Sequence, residues 1–182
     1  MSNIDTLSPN RFQQQFGQPP ERARTKIRDY MEPAIQEFIR QAPFAVLATC
    51  DAEGRCDASP KGGKPGFVHI LDDRHLLLPD VAGNRLFQSY QNIDGNAYVG
   101  LIFFVPGLDN TTRVNGSARV VDKEELERHN MDLQVHQPDD NAKNLQGLLI
   151  EVEEAYNHCT RALKFSKLWD TETIEQQRQR PG

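Results

Sequence analysis

Hydrophobic and polar residues alternate or cluster along most of the chain in patterns that predict β-strands. Short apolar, β-branched segments are separated by turn residues at the spacing typical of an antiparallel meander. The predicted strands cover residues 44–50, 55–60, 67–71, 75–79, 97–104, 111–121 and 147–153. Six or seven antiparallel strands with marginal helices predict a mainly β (α+β) fold, a small β-barrel, because closure removes exposed strand edges.

Other segments have a helical pattern. Apolar residues recur at three- and four-residue steps over residues 27–39, where Pro33 predicts either a break or the first turn of a second helix. Residues 85–92 predict about two helical turns with Asn84 as the N-cap. Residues 123–130 predict a short charged helix.

The segment 111–121 contains one conflicting signal. Asn115-Gly116 is a strong hairpin dipeptide, which would divide the segment into two strands. The alternative is one long strand with a glycine bulge. We favour the bulge because the flanking halves are very short for independent strands.

The composition predicts a single domain between two polar ends. Residues 1–20 are polar and rich in Gln, which predicts an arm-like or disordered leader. Residues 21–169 carry the strand and helix patterns and predict one domain, as expected for a chain of 182 residues. Residues 170–182 predict a frayed polar tail.

Charge and cysteine content limit the class of protein. A net charge of −5 argues against a general nucleic-acid binder, and no segment approaches the roughly 20 apolar residues that span a membrane. Cys50, Cys56 and Cys159 lack the spacing of a disulfide framework or a zinc site, so we expect buried structural thiols and no metal. The N-terminus has no signal-peptide pattern, and we expect a cytoplasmic protein that does not associate with membranes.

Two segments carry candidate phosphate-binding groups. The predicted second strand runs into Ser59-Pro-Lys61-Gly-Gly-Lys64, where a hydroxyl, flexible glycines and ammonium groups could surround a phosphate. Arg85 lies in the first turn of a predicted helix, and Ser89 follows one turn later. The alternative is that Lys61 and Arg85 are solvated surface charges.

Taken in order, several segments resemble a known family. They are PFAVLATCDAEGRCDASPKGG, HLLLPDVAGNRLFQSYQNI, VGLIFFVPG, TRVNGSARVV and HCTRALKFSKLW. The chain resembles the FMN-binding split barrel of the pyridoxamine 5′-phosphate oxidase-like superfamily, over roughly residues 25–170. It is most similar to a branch described only as FMN-dependent enzymes.

The resemblance implies an FMN site shared between two subunits of a homodimer. It places the phosphate at Ser59, Lys61, Asn84 and Arg85, with Ser89 a weaker candidate. It also implies that three further positions lie near the flavin ring, although each has a structural alternative. Pro79-Asp80 could simply end a strand, Arg113 could form a cross-strand salt bridge, and Trp169 could be a hydrophobic clasp.

The activity implied by the resemblance is that of an FMN-dependent oxidoreductase acting on a small, unidentified substrate. No residue stands out as catalytic, which also permits a non-enzymatic flavin-binding or electron-carrier protein. Haem or a deazaflavin is an alternative cofactor, since other similar split barrels bind those. Pyridoxamine phosphate is not expected as the substrate, because the C-terminal Arg cluster of that enzyme has no clear counterpart here.

Overall fold

Seven antiparallel strands form one sheet in the computed structural model, which describes residues 9–81, 86–140 and 142–180. The strands are β1 (Phe44–Cys50), β2 (Cys56–Gly62), β3 (His69–Ile70), β4 (His75–Val81), β5 (Tyr98–Phe104), β6 (Thr111–Val121) and β7 (Asn144–His158). Their order across the sheet is β2-β1-β5-β6-β7-β4-β3. The predicted antiparallel β architecture is therefore confirmed, and each predicted strand has an observed counterpart, although β7 extends well beyond the predicted residues 147–153.

Short helices surround the sheet. They are α1 (Arg11–Phe16), α2 (Glu21–Arg24), α3 (Pro33–Gln41), α4 (Gln88–Gly95), α5 (Lys123–Arg128), α6 (Arg161–Ser166) and α7 (Thr171–Arg178). Among the described residues, no helix combines the length and apolar character needed to cross a membrane.

The sheet curls strongly enough to bring its two ends together. β2 and β4 lie near opposite ends of the strand order, yet Lys61 on β2 and Asp80 on β4 form an ion pair with an N–O distance of 3.7 Å. The sheet is therefore a barrel with a seam between β2 and β4.

The core lies inside this barrel and follows the period of two expected for strands. On β5, Val99, Leu101 and Phe103 are buried, while Gly100, Ile102 and Phe104 between them lie partly exposed on the outer face. α3 closes the core with one apolar face: Ile35, Phe38 and Ile39. A smaller cluster joins α5 to the barrel: Leu77, Val121, Leu126 and Met131.

β6 is one continuous strand with an irregularity in its pairing with β7 between Asn115 and Gly116. This confirms one continuous strand over the hairpin, but the extra residue of the bulge is Glu153 on β7, because Asn115 and Gly116 pair with Glu154 and Val152. The glycine is needed because a Cβ atom at position 116 would collide with the backbone oxygen of Glu151. Glycine at this position thus permits the two strands to approach more closely than a side chain would allow.

The helical pattern before the first strand is only partly correct. Pro33 begins α3, as predicted. The preceding residues do not form one helix with it, because the backbone of Arg28 pairs with Ala155 through hydrogen bonds of 3.3 and 2.7 Å. Tertiary pairing with β7 therefore replaces the helix that the apolar spacing predicted over residues 27–32.

The start of α4 also differs from the prediction. The helix begins at Gln88, three residues later than expected, and ends at Gly95. Its N-cap position is Phe87, which has a left-handed backbone (φ 49°) and provides no side-chain cap. The predicted cap Asn84 and the neighbouring Arg85 lie outside the described residues.

Both polar ends of the chain contain short helices where the composition predicted little order. Asn10 caps α1 through a reciprocal capping box, and Asp170 caps α7 by accepting from the Thr173 amide. Local capping hydrogen bonds supply the structure that hydrophobic periodicity did not indicate. The division at residues 20 and 170 stays a prediction.

Candidate functional site

A cleft of about 400 Å³ opens at the seam of the barrel. β2 forms one side, the end of β4 the second, and the start of α4 the third. Its described lining consists of Asp57, Ala58, Ser59, Pro60, Lys61, Asp80, Val81, Leu86, Phe87, Gln88, Ser89 and Tyr90. A smaller cavity of about 180 Å³ adjoins it and shares Pro60, Lys61, Asp80 and Val81.

Strand alternation explains why β2 contributes so much to the cleft. Asp57, Ser59 and Lys61 occupy every second position, so their side chains share one face of the strand. β2 lies at one end of the strand order and pairs with β1 across its whole length. No described strand pairs with its other edge, which leaves the face and edge of β2 available to the seam.

The ion pair between Lys61 and Asp80 bridges the cleft. Both side chains are largely buried, with exposed fractions of 19% and 16%. Burial raises the pKa of Asp80, and the positive charge of Lys61 opposes that rise without cancelling it. The seam therefore holds a carboxylate that is less stable in its charged form than an exposed aspartate would be.

The end of β4 also presents backbone groups. β3 pairs with β4 only at Leu76 and Leu77, so the following residues have no described strand partner on that edge. Asp80 and Val81 in this stretch line the cleft, and Pro79 lines the adjoining cavity. Backbone N–H and C=O groups left by an edge strand can bind the polar rim of a ligand.

Hydrogen bonds from two buried side chains hold α4 on the β1–β2 hairpin. The Asn92 amide donates to the Thr49 hydroxyl oxygen at 2.9 Å. The Ser89 hydroxyl donates to an Asp57 carboxylate oxygen at 3.3 Å. The first bond fixes the helix on the barrel, and the second lies in the wall of the cleft.

Apolar and aromatic side chains form the α4 side of the cleft. Leu86 and Phe87 are 70% and 37% exposed, whereas Tyr90 is buried. The Phe87 and Tyr90 rings meet edge to face, with their centroids 6.1 Å apart. Burial, and secondarily the charge of Asp80, raises the pKa of Tyr90, which keeps its phenol protonated.

The structure brings together four of the predicted site residues and separates others from them. Ser59, Lys61, Asp80 and Ser89 line the cleft, and Pro79 lines the adjoining cavity. Asn84 and Arg85 cannot be placed, since they lie outside the described residues.

Arg113 and Trp169 do not line the cleft of their own chain. Arg113 projects from the outer face of β6 and donates to the Tyr156 hydroxyl oxygen at 3.2 Å. The indole N–H of Trp169 donates to the Leu108 carbonyl oxygen at 2.9 Å. A role for either residue in the site therefore depends on a second subunit.

Sequence reasoning missed Asp57, Phe87 and Tyr90. The position of Asp57 could have been found, because it alternates with Ser59 and Lys61 on a predicted strand. The placement of the two aromatic residues could not, since it depends on the left-handed backbone at Phe87.

The cysteines are more exposed than predicted. Cys56 and Cys159 are exposed and Cys50 is half-buried, so the expectation of buried structural thiols is wrong. Their positions explain this, because Cys50 and Cys56 lie at the turn end of the β1–β2 hairpin and Cys159 directly follows the last residue of β7. In the described part of the chain, no group of three or more His, Cys, Asp or Glu residues is arranged to hold a metal ion.

Solved structures share this architecture at low sequence identity. The HupZ protein of Group A Streptococcus is 18% identical, with a TM-score of 0.50 over 70% of this chain and 93% of that chain. A pyridoxamine 5′-phosphate oxidase-related, FMN-binding protein from Nostoc punctiforme is 14% identical, with a TM-score of 0.50 over 71% and 85%. A Lactobacillus delbrueckii protein is 22% identical, with a TM-score of 0.51 over 71% and 95%. No curated protein sequence matches the chain.

The curled antiparallel sheet with its cleft at the seam defines a split β-barrel. Residues 31–159 match the sequence model of the pyridoxamine 5′-phosphate oxidase family. Since this match covers well over half of the chain, the protein belongs to that family.

Asp80→Asn is expected to raise the midpoint of thermal unfolding (Tm) at neutral pH. The folded chain raises the pKa of Asp80 above its ordinary value of 3.8, so the charged carboxylate destabilises the folded state relative to a neutral group. The advantage of the variant should shrink as the pH falls through the raised pKa, because the wild-type carboxyl then becomes neutral too. Circular dichroism melts across the acid-to-neutral range measure this.

Asp51→Asn provides a control of opposite sign. Hydrogen bonds from Arg55 lower the pKa of Asp51, so its charged form stabilises the folded state. That variant should have a lower Tm than wild type at neutral pH, with the deficit disappearing at acid pH. An Asp80→Asn protein no more stable than wild type at any pH would contradict the proposed cost of burying this carboxylate.

Proposed function

We propose that the protein binds FMN in the seam cleft and acts as an FMN-dependent oxidoreductase on a small substrate. The observation that carries this proposal is the convergence of Ser59, Lys61, Asp80 and Ser89 on one cleft in a member of this family. The related FMN-binding protein from Nostoc punctiforme supports the same cofactor.

The phosphate group fits best between β2 and the start of α4. Ser59 supplies a hydroxyl and Lys61 an ammonium group on one side. On the other side, Gln88 and Ser89 in the first turn of α4 line the cleft, and Phe87 provides no side-chain cap, so their amide N–H groups could bind an anion. The two sides together supply hydrogen-bond donors and one ammonium charge for a phosphate.

The charges of the described lining show that a phosphate would need a further cation in this site. Asp57 and Asp80 contribute two carboxylates, against the single ammonium group of Lys61. This lining alone is unfavourable for a phosphate, which is why Arg85 is essential to the proposal. The guanidinium of Arg85 could bind two phosphate oxygens and balance the remaining negative charge of this lining.

The flat ring system of FMN fits the rest of the cleft. Phe87 and Leu86 offer exposed apolar surface for one face of the ring. The end of β4, at Asp80 and Val81, offers backbone hydrogen-bonding groups for its polar rim. Bound FMN would supply the redox chemistry, and these residues would bind and orient it and exclude water.

A homodimer is part of the proposal because the outer face of β1 and β5 is apolar and incompletely covered. Phe44 is 40% exposed and contacts the Phe104 ring, and Val46 pairs with Ile102 on the same face. Arg113 lies opposite Ile102 in the sheet, at the border of this apolar face. A second subunit packed there would place Arg113 at the interface, where it could reach the partner's cleft.

Lys61→Ala is expected to weaken FMN binding by about tenfold to a hundredfold, since a charge-assisted hydrogen bond contributes roughly 1.5–3 kcal/mol. Quenching of flavin fluorescence on titration gives the Kd. The double variant Lys61→Ala/Asp80→Asn separates two effects of the substitution, the loss of attraction to phosphate and the exposure of an uncompensated Asp80.

Lys123→Ala is the matched control, because Lys123 pairs with Glu127 on the exposed surface of α5. Its Kd should equal that of the wild type. An unchanged Kd for Lys61→Ala would show that the phosphate does not bind at this end of the cleft. If the wild-type protein fails to quench flavin fluorescence, FMN is not its cofactor.

The FMN-loaded protein is expected to accept electrons from NADH or NADPH and to pass them to a small acceptor. Anaerobic bleaching of flavin absorbance measures the first step, and its return with a panel of acceptors measures the second. Tight FMN binding without reduction by either donor would favour the alternative, a flavin-binding protein without enzymatic activity.

Subunit mixing tests whether the site is shared. Light scattering should first show a dimer at micromolar concentration. Lys61→Ala and Arg113→Ala should each weaken FMN binding alone. If Lys61 and Arg113 act on one flavin from different subunits, dissociating and reassociating the two variants together should restore about a quarter of the sites. No restoration in verified mixed dimers would show that the two residues do not share a site.

A further inference from the structure

Cys50 and Cys56 face each other at the end of the β1–β2 hairpin. They form the last register pair of the two strands, and their sulfur atoms are 2.8 Å apart. Both are free thiols. A contact this short between two reduced cysteines requires that both side chains already point toward a common position.

The hairpin geometry suits a bond between them. The Asp51 amide donates to the Arg55 carbonyl oxygen at 3.0 Å, so the next pair along the strands, Cys50 and Cys56, is a non-hydrogen-bonded pair. In such pairs the Cα atoms lie about 4.5 Å apart, inside the usual disulfide range of about 4.4–6.8 Å. A disulfide therefore needs little backbone movement.

The two thiols differ in accessibility. Cys56 is exposed and Cys50 is half-buried, so reagents in solution reach Cys56 first. The hydrogen bond to Cys56, followed by burial, raises the pKa of Cys50, which holds its proton more firmly. Cys56 is accordingly the first nucleophile and Cys50 the resolving thiol.

Charged neighbours determine which oxidant fits. Arg55 forms ion pairs with Asp51 and Glu53 at 2.6 and 2.8 Å, which occupies the cation nearest the thiols. The carboxylate of Asp51 acts on the pair as well, since its negative charge contributes to the raised pKa of Cys50. These surroundings disfavour anionic disulfides such as oxidised glutathione and favour a small neutral oxidant.

The geometry points to a redox-active dithiol, in which Cys50 and Cys56 close to a disulfide on oxidation by a hydroperoxide. The Cys56 sulfur attacks the peroxide, the O–O bond breaks, and a sulfenic acid and one water (or alcohol) form. The Cys50 sulfur then attacks the Cys56 sulfur, the S–O bond breaks, and a second molecule of water leaves. Two thiols lose two electrons and two protons, which reduce the peroxide.

The dithiol belongs to the segment that supports α4. Thr49 and Asp57, the residues next to the two cysteines, accept the hydrogen bonds from Asn92 and Ser89. This modification site is thus built into the hairpin on which the helix rests, and it does not depend on the identity of any ligand in the cleft.

Trypsin provides a direct test, because it cleaves after Arg55, between the two cysteines. The full chain is treated with hydrogen peroxide, blocked with N-ethylmaleimide, denatured and digested without reduction. We expect peptides 41–55 and 56–61 to appear as one linked species, two hydrogen masses lighter than their sum, which dithiothreitol separates. Linking should be at least about tenfold slower in urea, where the native contact is lost.

Two serine variants complete the experiment. Cys56→Ser should abolish the linked species, and Cys159→Ser, at an equally exposed thiol elsewhere, should leave its rate unchanged. Circular dichroism confirms that both variants are folded. Linking that involves Cys159, linking that is equally fast in urea, or conversion of Cys56 to a sulfinic acid without linking would overturn the proposal.

Discussion

A pair of charges, rather than a ladder of strand hydrogen bonds, spans the seam of this barrel. Lys61 and Asp80 meet across the gap between β2 and β4, and both are largely buried. Removing charges from water is costly, and at Asp80 the attraction of Lys61 offsets that cost only in part. A fully paired barrel would have avoided it, but it would also have filled the space that becomes the cleft. The cavity exists because the two strand edges approach without pairing.

The cleft then depends on two different kinds of support. Strand alternation fixes Asp57, Ser59 and Lys61 on one face of β2, and pairing with β1 along the full strand holds that face rigid. The opposite wall is a short helix, which would be marginal in isolation. Its buried Asn92 amide binds Thr49 on β1, so the same hairpin positions both walls.

The strands could be predicted from the sequence because their inner faces are strongly apolar and their turns contain Gly, Asp or Pro. Where the prediction failed, another force exceeded local preference. Apolar spacing predicted a helix around Arg28, but backbone hydrogen bonds with Ala155 stabilise the fold more than that helix would. The end of β7, from Glu154 to His158, lies beyond the predicted strand. Its outer face carries polar residues, so this end lacks the apolar pattern that indicated the rest of the strand.

The site was predictable where its residues lie close together in the sequence. Ser59 and Lys61 lie in one strand, and hydroxyl and ammonium groups beside glycines indicate phosphate chemistry directly. Asp57 needed only the strand period. The aromatic wall depends on Phe87 adopting a left-handed backbone, a conformation for which bulky side chains carry no sequence signal.

β7 constrains how a chain of this kind can change in length. It pairs with β4 over residues 144–151 and with β6 over residues 147–158, so five consecutive positions are fixed on both edges at once. Inserting or deleting one residue there would turn every later side chain to the opposite face of the sheet, with Val152 and Ala155 leaving the core. Two halves of the barrel would lose their register together. Variation in length among such proteins should therefore accumulate in the connections, while the number of residues in this central strand stays constant.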